Sequence, residues 1–290
     1  TETWKNADQL WLVNESTKTF EMWSPFQPGS STVDWCEANY DFTPNIAEFV
    51  NTFSNVLFFI IPPVLIHLFK PYAIQFNKGV QIIWVLLGLV GVFSAYFHAT
   101  LSLIGQLLDE ISILWVVMAG FALWFPGKLL PKAFQVNRAH FQLLMCFLTV
   151  VSSLMACIQP AVNAFALMLF GIPAFYLLVQ ELKKCQSSRV YNLGVRSVFV
   201  WILAVTCWIS DRLFCDLWAS VKFPYLHGAW HILIFIASYT ACVLFAYFDA
   251  LHRAPDETPV IKFWPIDTCE LGVPYVVFKH YHENQLAKLL

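Results

Sequence analysis

Residues 93–110 read Phe93-Ser-Ala-Tyr-Phe-His98-Ala-Thr-Leu-Ser-Leu-Ile-Gly-Gln-Leu-Leu-Asp109-Glu110, closing one long apolar run and opening the next. A serine, a histidine and a carboxylate stand here where lipid would tolerate none of them unpaired. Ser94 and His98 are four positions apart, so on a helix they share a face, one turn above the other. Far downstream, His227-Gly-Ala-Trp-His231 repeats that i, i+4 spacing inside another apolar run. The two stretches together offer three imidazoles and a carboxylate. That is the ligand and base inventory of a zinc hydrolase with one open coordination position.

The composition around these stretches is that of a membrane protein. Of 290 residues, 58% are hydrophobic and only 12% charged, with 12 Trp and 27 Phe, far more apolar than a soluble domain of this length. A net charge of −2 and the lack of a dense basic patch give no reason to expect a nucleic-acid partner. Eight cysteines are scattered without C-x-x-C spacing, which argues against a zinc ribbon or a redox pair. No cleavable signal pattern is present, so the first span is expected to act as the insertion signal.

Apolar windows recur at about 46–69, 79–100, 107–125, 140–157, 163–180, 197–217 and 228–248, each long enough to cross a hydrocarbon core of about 30 Å as a helix. The expectation is an all-α seven-helix bundle without internal repeats. Loops one, three and five carry Lys70, Lys78, Lys128, Lys132, Arg138, Lys183, Lys184, Arg189 and Arg196, whereas loop six carries only Arg212 and Lys222. The positive-inside rule then places the N-terminus in the lumen and the C-terminus in the cytosol. Expected boundaries are a lumenal tail over 1–33, the helical domain over 34–250 and a cytosolic tail over 251–290. Asn14-Glu-Ser16 would face a compartment that permits N-glycosylation.

This topology brings Ser94, His98, Asp109, His227 and His231 to one depth at the lumenal end. A lone His in a membrane helix is often a hydrogen-bonded packing residue; three at one depth point instead to a metal, zinc first because imidazole suits it. Asp109 reads either as a cap at the start of helix three or as a general base, with Glu110 as the other candidate cap. Ser94 and Ser238 read equally as small packing residues or as site residues.

Ahead of helix one, Asp34-Trp-Cys-Glu37-Ala-Asn39 is followed by Glu48 just inside the first apolar span. A solvated acidic turn accounts for the first part. Glu48 is not covered by that reading, because a charge there needs a cation or a donor. Oxygen ligands without histidine favour calcium over zinc, although the spacing is not that of an EF-hand. Cys36 and Cys215 fall on the same lumenal side, where an oxidising compartment permits a bridge.

With these motifs in hand, the chain resembles the alkaline ceramidase family, seven-helix intramembrane amidases related to the adiponectin receptors. The resemblance covers about Ser31 to Tyr275. It rests on Asp34-Trp-Cys-Glu-x-Asn39, Ala47-Glu-Phe-x-Asn51-Thr-x-Ser54-Asn55, Tyr96-Phe-His-x-Thr-Leu-Ser102, Gly105-Gln-x-Leu-Asp-Glu110, Trp208-Ile-Ser-Asp-Arg212 and Pro224-Tyr-Leu-His-x-x-Trp-His231. Phe245-Ala-Tyr-Phe-Asp-Ala250 and Val260-Ile-Lys-Phe-Trp-Pro265 look most like the Golgi-type member.

The resemblance implies zinc on His98, His227 and His231 with Ser94 and Asp109 beside it. It also implies calcium on Asp34, the Trp35 carbonyl, Glu37, Asn39 and Glu48, and a bridge between Cys36 and Cys215. The activity it implies is hydrolysis of ceramide, drawn from the membrane lipid, to sphingosine and a fatty acid. Two other classes fit part of the sequence. A receptor or lipid sensor would share the zinc cage but has little lumenal loop to work with; a metal transporter would need paired helix breaks that the sequence lacks.

Overall fold

The computed structural model describes residues 24–254 and 258–278, and among these described residues seven helices are long and apolar enough to cross a membrane. They are α1 (Phe49–Leu68), α2 (Val80–Thr100), α3 (Leu103–Trp124), α4 (Arg138–Ile158), α5 (Ala161–Lys184), α6 (Ser188–Leu213) and α7 (Leu226–Arg253). Each falls on one of the expected apolar windows. The glycosylation triplet at Asn14 lies outside the described residues.

The helices overrun the windows where polar residues at their ends have partners. α3 starts at Leu103 because the Ser102 hydroxyl accepts from the Gly105 amide as an N-cap. α6 starts at Ser188, well before the expected 197, where the Ser187 hydroxyl accepts from the Val190 amide as an N-cap, and Arg189 and Arg196 in its first turns are paired to the C-terminal segment. The outer faces of α4 and α5 leave Phe147, Leu154, Phe165 and Leu169 more than half exposed, as lipid-facing surfaces require. Only 17% of the apolar window of each of these helices is buried, against 61% for α7, so α7 is the central helix.

α1 is interrupted. Its first turns, Phe49–Phe53, stop at Ser54 and Asn55 before the chain resumes as Val56–Leu68, which contains Pro62 and Pro63. At the break the Asn51 carbonyl accepts from both the Ser54 hydroxyl (2.8 Å) and Asn55 Nδ2 (3.0 Å), so side chains replace lost backbone partners. The turn between α2 and α3 is equally tight. Leu101 takes a left-handed conformation at φ 48° to end α2. Gly105 then lets α3 approach, since a Cβ there would lie 2.9 Å from Phe97 Cα.

The segment before α1 is stitched to this turn. Gly29 and Ser31 amides donate to Thr100 and Leu101 carbonyls, each at 2.9 Å, and Ala47 and Glu48 amides donate to Ala99 and His98 carbonyls, each at 3.0 Å. A disulfide joins Cys36 to Cys215, just past the end of α6. The described part of the expected N-terminal tail is therefore packed on the bundle.

Beyond α7 the chain forms a two-stranded antiparallel hairpin, β1 (Pro259–Trp264) and β2 (Val273–Phe278), with Ile261 opposite Val276. Sequence periodicity over such short runs did not suggest it. Ile261, Phe263, Val276 and Phe278 join the same buried core as Leu65, Phe69, Trp84, Val243 and Phe248. Arg189 and Arg196 hold the connecting loop through Asp267 (2.9 Å) and Glu270 (3.1 Å), and both guanidinium groups lie over the Phe263 ring.

Candidate metal centre and active site

His98 occupies the last turn of α2, while His227 and His231 occupy successive turns at the start of α7, the most buried helix. The three rings are 98–100% buried, at 0%, 2% and 2% exposure, and one ligand atom from each lies within 4.8 Å of the others. Among the described residues, no other group of His, Cys, Asp or Glu side chains converges so closely.

Hydrogen bonding fixes which nitrogens are left for a ligand. His98 Nδ1 bonds the Glu48 carboxylate, which accepts, so this nitrogen carries the hydrogen and Nε2 holds a lone pair. That Nε2 is buried without a partner. Ser54 has given its one hydroxyl hydrogen to the Asn51 carbonyl, so at 2.7 Å it accepts from His231 Nδ1 and again leaves Nε2 as the lone pair. His227 Nδ1 is also buried and unpartnered. Two orphaned imidazole nitrogens in a buried three-His cluster fit a divalent metal, with Glu48 and Ser54 as outer partners that hold the rings.

Ser94 and Asp109 reach this centre from α2 and α3. Ser94 Oγ lies 3.4 Å from His231 Nε2 and neighbours the Asp109 carboxylate. Asp109 stands in the second turn of α3, and the cap of that helix is Ser102, so Asp109 is not a capping residue. Glu110 accepts instead from Gln106 Nε2 at 2.8 Å.

Ser94, Asp109 and His231 line one end of a cavity of about 270 Å³, whose far end is formed by Trp124 and Phe245. From His231 to Phe245 the α7 wall runs about 21 Å at the helical rise per residue. Ser238 also lines it. The remaining walls are largely aliphatic and aromatic.

The acidic segment folds over the same end of the bundle. Both Glu37 oxygens accept amides at the start of α1, Val50 N at 2.6 Å and Asn51 N at 2.8 Å. Burial pushes the Glu37 carboxyl up; those two amides oppose the push and the neighbouring Glu48 carboxylate adds to it. Glu48 Oε1 accepts from Trp35 N at 3.1 Å, and Oε2 accepts from Asn51 Nδ2 at 3.0 Å as well as from His98. Asp34 lies beside Glu48 and accepts from Asn39 Nδ2 at 3.1 Å. The Arg212 guanidinium bonds the Asp34 carbonyl rather than a carboxylate. The donor set is all oxygen, which suits a hard cation in chemistry, although these carboxylates are less convergent than the imidazoles among the described residues.

Three contributors lacked a sequence signal of their own. Asp211 is buried and bridges Cys36 N and His227 N, each at 3.1 Å, which ties the disulfide segment to the start of α7. Ser54 and Asn51 orient His231 and Glu48. All three lie inside motifs quoted above, but a small polar residue near a helix end has many ordinary roles. Trp35 stacks on the His227 ring at 3.6 Å between centroids, a contact equally unreadable from sequence.

Fold and site together define a seven-helix membrane protein with a buried three-imidazole centre at one end of an apolar cavity. The family model described as Ceramidase matches residues 27–277, and the chain belongs to that family. It is 52% identical over 258 residues to the alkaline ceramidase of Drosophila melanogaster, covering 89% of this chain and 91% of that one. Human alkaline ceramidase 1 is 43% identical over 253 residues, covering 87% and 96%, and its mouse counterpart is 41% identical over 264 residues, covering 91% and 97%.

Proposed function

We propose that this protein hydrolyses ceramide to sphingosine and a free fatty acid as a zinc amidase working within the membrane. The observation that carries the reading is the convergence of three buried imidazoles, two of them with orphaned nitrogens, at the polar end of a long apolar cavity. His98, His227 and His231 would hold the ion. Zinc, when bound, supplies Lewis acidity toward the amide carbonyl and lowers the pKa of water.

The chain's own residues do the remaining work. Asp109 takes the proton from the attacking water and delivers it to the leaving nitrogen, so the C–N bond breaks to a neutral amine. Ser94, placed between Asp109 and His231, donates to the carbonyl oxygen as negative charge develops on it. Glu48 and Ser54 keep His98 and His231 in the ligating tautomer. The apolar walls from Phe58 to Phe245 take up hydrocarbon.

Asp34, the Trp35 carbonyl, Glu37, Asn39 and Glu48 are proposed to hold calcium, which would pin the N-terminal segment to the bundle. We place this end, with residues 1–33, in the lumen and residues 251–290 in the cytosol, with 34–250 as the hydrolase domain. The Cys36–Cys215 bridge supports that orientation because it needs an oxidising compartment. The likeness of stretches 245–250 and 260–265 to the Golgi-type member of the family is what supports reading this membrane as that of the Golgi.

The test is hydrolysis of ceramide by purified protein before and after chelation, followed by re-addition of zinc. Activity that persists with no bound metal overturns the proposal. A metal-filled protein that binds ceramide without cleaving it favours the sensor reading instead.

A further inference from the structure

We propose that Asn55 is a substrate-binding residue whose Oδ1 accepts a hydrogen bond from the polar head of the lipid, an inference that rests on the amidase reading above. Asn55 stands at the break in α1 and is fully buried. Its Nδ2 donates to the Asn51 carbonyl at 3.0 Å. A carbonyl can only accept, so the side-chain amide cannot be turned the other way round, and the group left over must be the oxygen.

That oxygen is buried without a partner, and Asn55 lines the cavity together with Ser94, Asp109 and His231. Asn51 Oδ1 and Asn163 Oδ1 are also buried and unpaired, but neither residue lines the cavity. An unsatisfied acceptor costs stability, and it persists where a ligand completes it. Asn55 thus offers an acceptor, and only an acceptor, to whatever fills the polar end of an apolar cavity.

A ceramide brings three donors close to its scissile carbonyl: the amide N–H and the hydroxyls on C1 and C3. With the carbonyl beside Ser94 and His231, these donors would lie within the cavity that Asn55 also lines. The pairing would do two things. It would fix the head group in register with Asp109, and it would reject amide lipids that lack the matching donor, because their binding leaves Oδ1 unpaired.

The experiment measures displacement of a fluorescent ceramide from the purified full-length protein in micelles. The competitors are ceramide, its 1-deoxy and 3-deoxy analogues, and the N-methyl amide. Wild type should bind ceramide about tenfold or more tightly than one analogue. Asn55→Leu should collapse that one ratio to about twofold or less and leave the other two as they were. The ratio that collapses names the donor. Asn55→Asp, whose protonated carboxyl would keep both the donor to the Asn51 carbonyl and a free oxygen acceptor, should preserve most of the preference and serves if the leucine variant does not fold. All ratios equal in wild type and variants would overturn the inference. Hydrolysis measured alongside separates the two readings: cleavage with unchanged ratios removes only the role of Asn55, whereas an Asn55-dependent preference without cleavage removes only the amidase.

Discussion

His98 Nδ1 and the Glu48 carboxylate form a hydrogen-bonded pair with no exposure to solvent, joining the end of α2 to the residue before α1. Glu48 also accepts from the Trp35 amide in the acidic segment, so one side chain touches both proposed metal sets. Glu48→Gln should therefore weaken both. Outer-sphere partners of a ligating histidine usually change metal affinity by about 10–100-fold, and a loss in that range is expected for zinc. Calcium-dependent thermal stabilisation should also fall, read as unfolding midpoints across a calcium titration at fixed zinc with magnesium as control. Equal calcium responses in the two proteins would remove Glu48 as a calcium ligand, and an unchanged zinc affinity would remove its orienting role.

Replacing His98, His227 or His231 singly with Ala should lower zinc content and ceramide hydrolysis together. A three-ligand site loses affinity and water activation when any one ligand is lost. Metal analysis of each purified variant beside its turnover is the check; full zinc occupancy in any of the three would strike that residue from the ligand set.

For Asp109→Asn the expectation separates the two properties. Zinc content and unfolding temperature should stay near wild type, while turnover drops about 10²-fold or more, the usual scale for a general acid–base group. Ser102 caps α3, so the helix has no need of this carboxylate. Loss of zinc in this variant would place Asp109 in the metal cage instead.

The hairpin clamp should be sensitive to acid. Burial alone would raise the Asp267 carboxyl, but hydrogen bonds from Arg189 and the Phe263 amide outweigh it and hold the group below its ordinary 3.8. A depressed carboxyl stabilises the docked hairpin above 3.8, and this contribution is lost as pH falls through the lower folded value. Asp267 is well exposed at 45%, so each ion pair is worth only about 0.2–1 kcal/mol. Arg189→Met at neutral pH should accordingly raise hydrogen exchange in 259–278 by a few-fold without unfolding α7. Exchange equal to wild type would show that the apolar contacts of Phe263 and Phe278 hold the hairpin alone.

The spans and the three imidazoles were legible in the sequence for simple reasons. A stretch of about twenty apolar residues has few alternatives to a membrane helix, and histidines at i, i+4 in such a stretch share a face. Glu48 was legible as a charge that needed a partner, yet nothing local could show that the partner is His98, fifty positions away. Asp109 was ambiguous until Ser102 proved to be the cap. Ser54 acts on a ring 177 positions distant, and that relation exists only in the folded bundle. The hairpin was missed because its strands are six residues each and become apolar partners only when α7 and α1 supply the surface.

The interruption of α1 makes residues 51–55 behave as one unit under mutation. A single carbonyl, that of Asn51, anchors the Ser54 hydroxyl that steers His231 and the Asn55 amide that faces the cavity, while the Asn51 side chain steadies Glu48. Changes within this pentapeptide should be strongly non-additive, because the first disturbs a scaffold the others share. Directed evolution toward other amide lipids would then proceed poorly by single steps here and would do better by exchanging the whole pentapeptide at once.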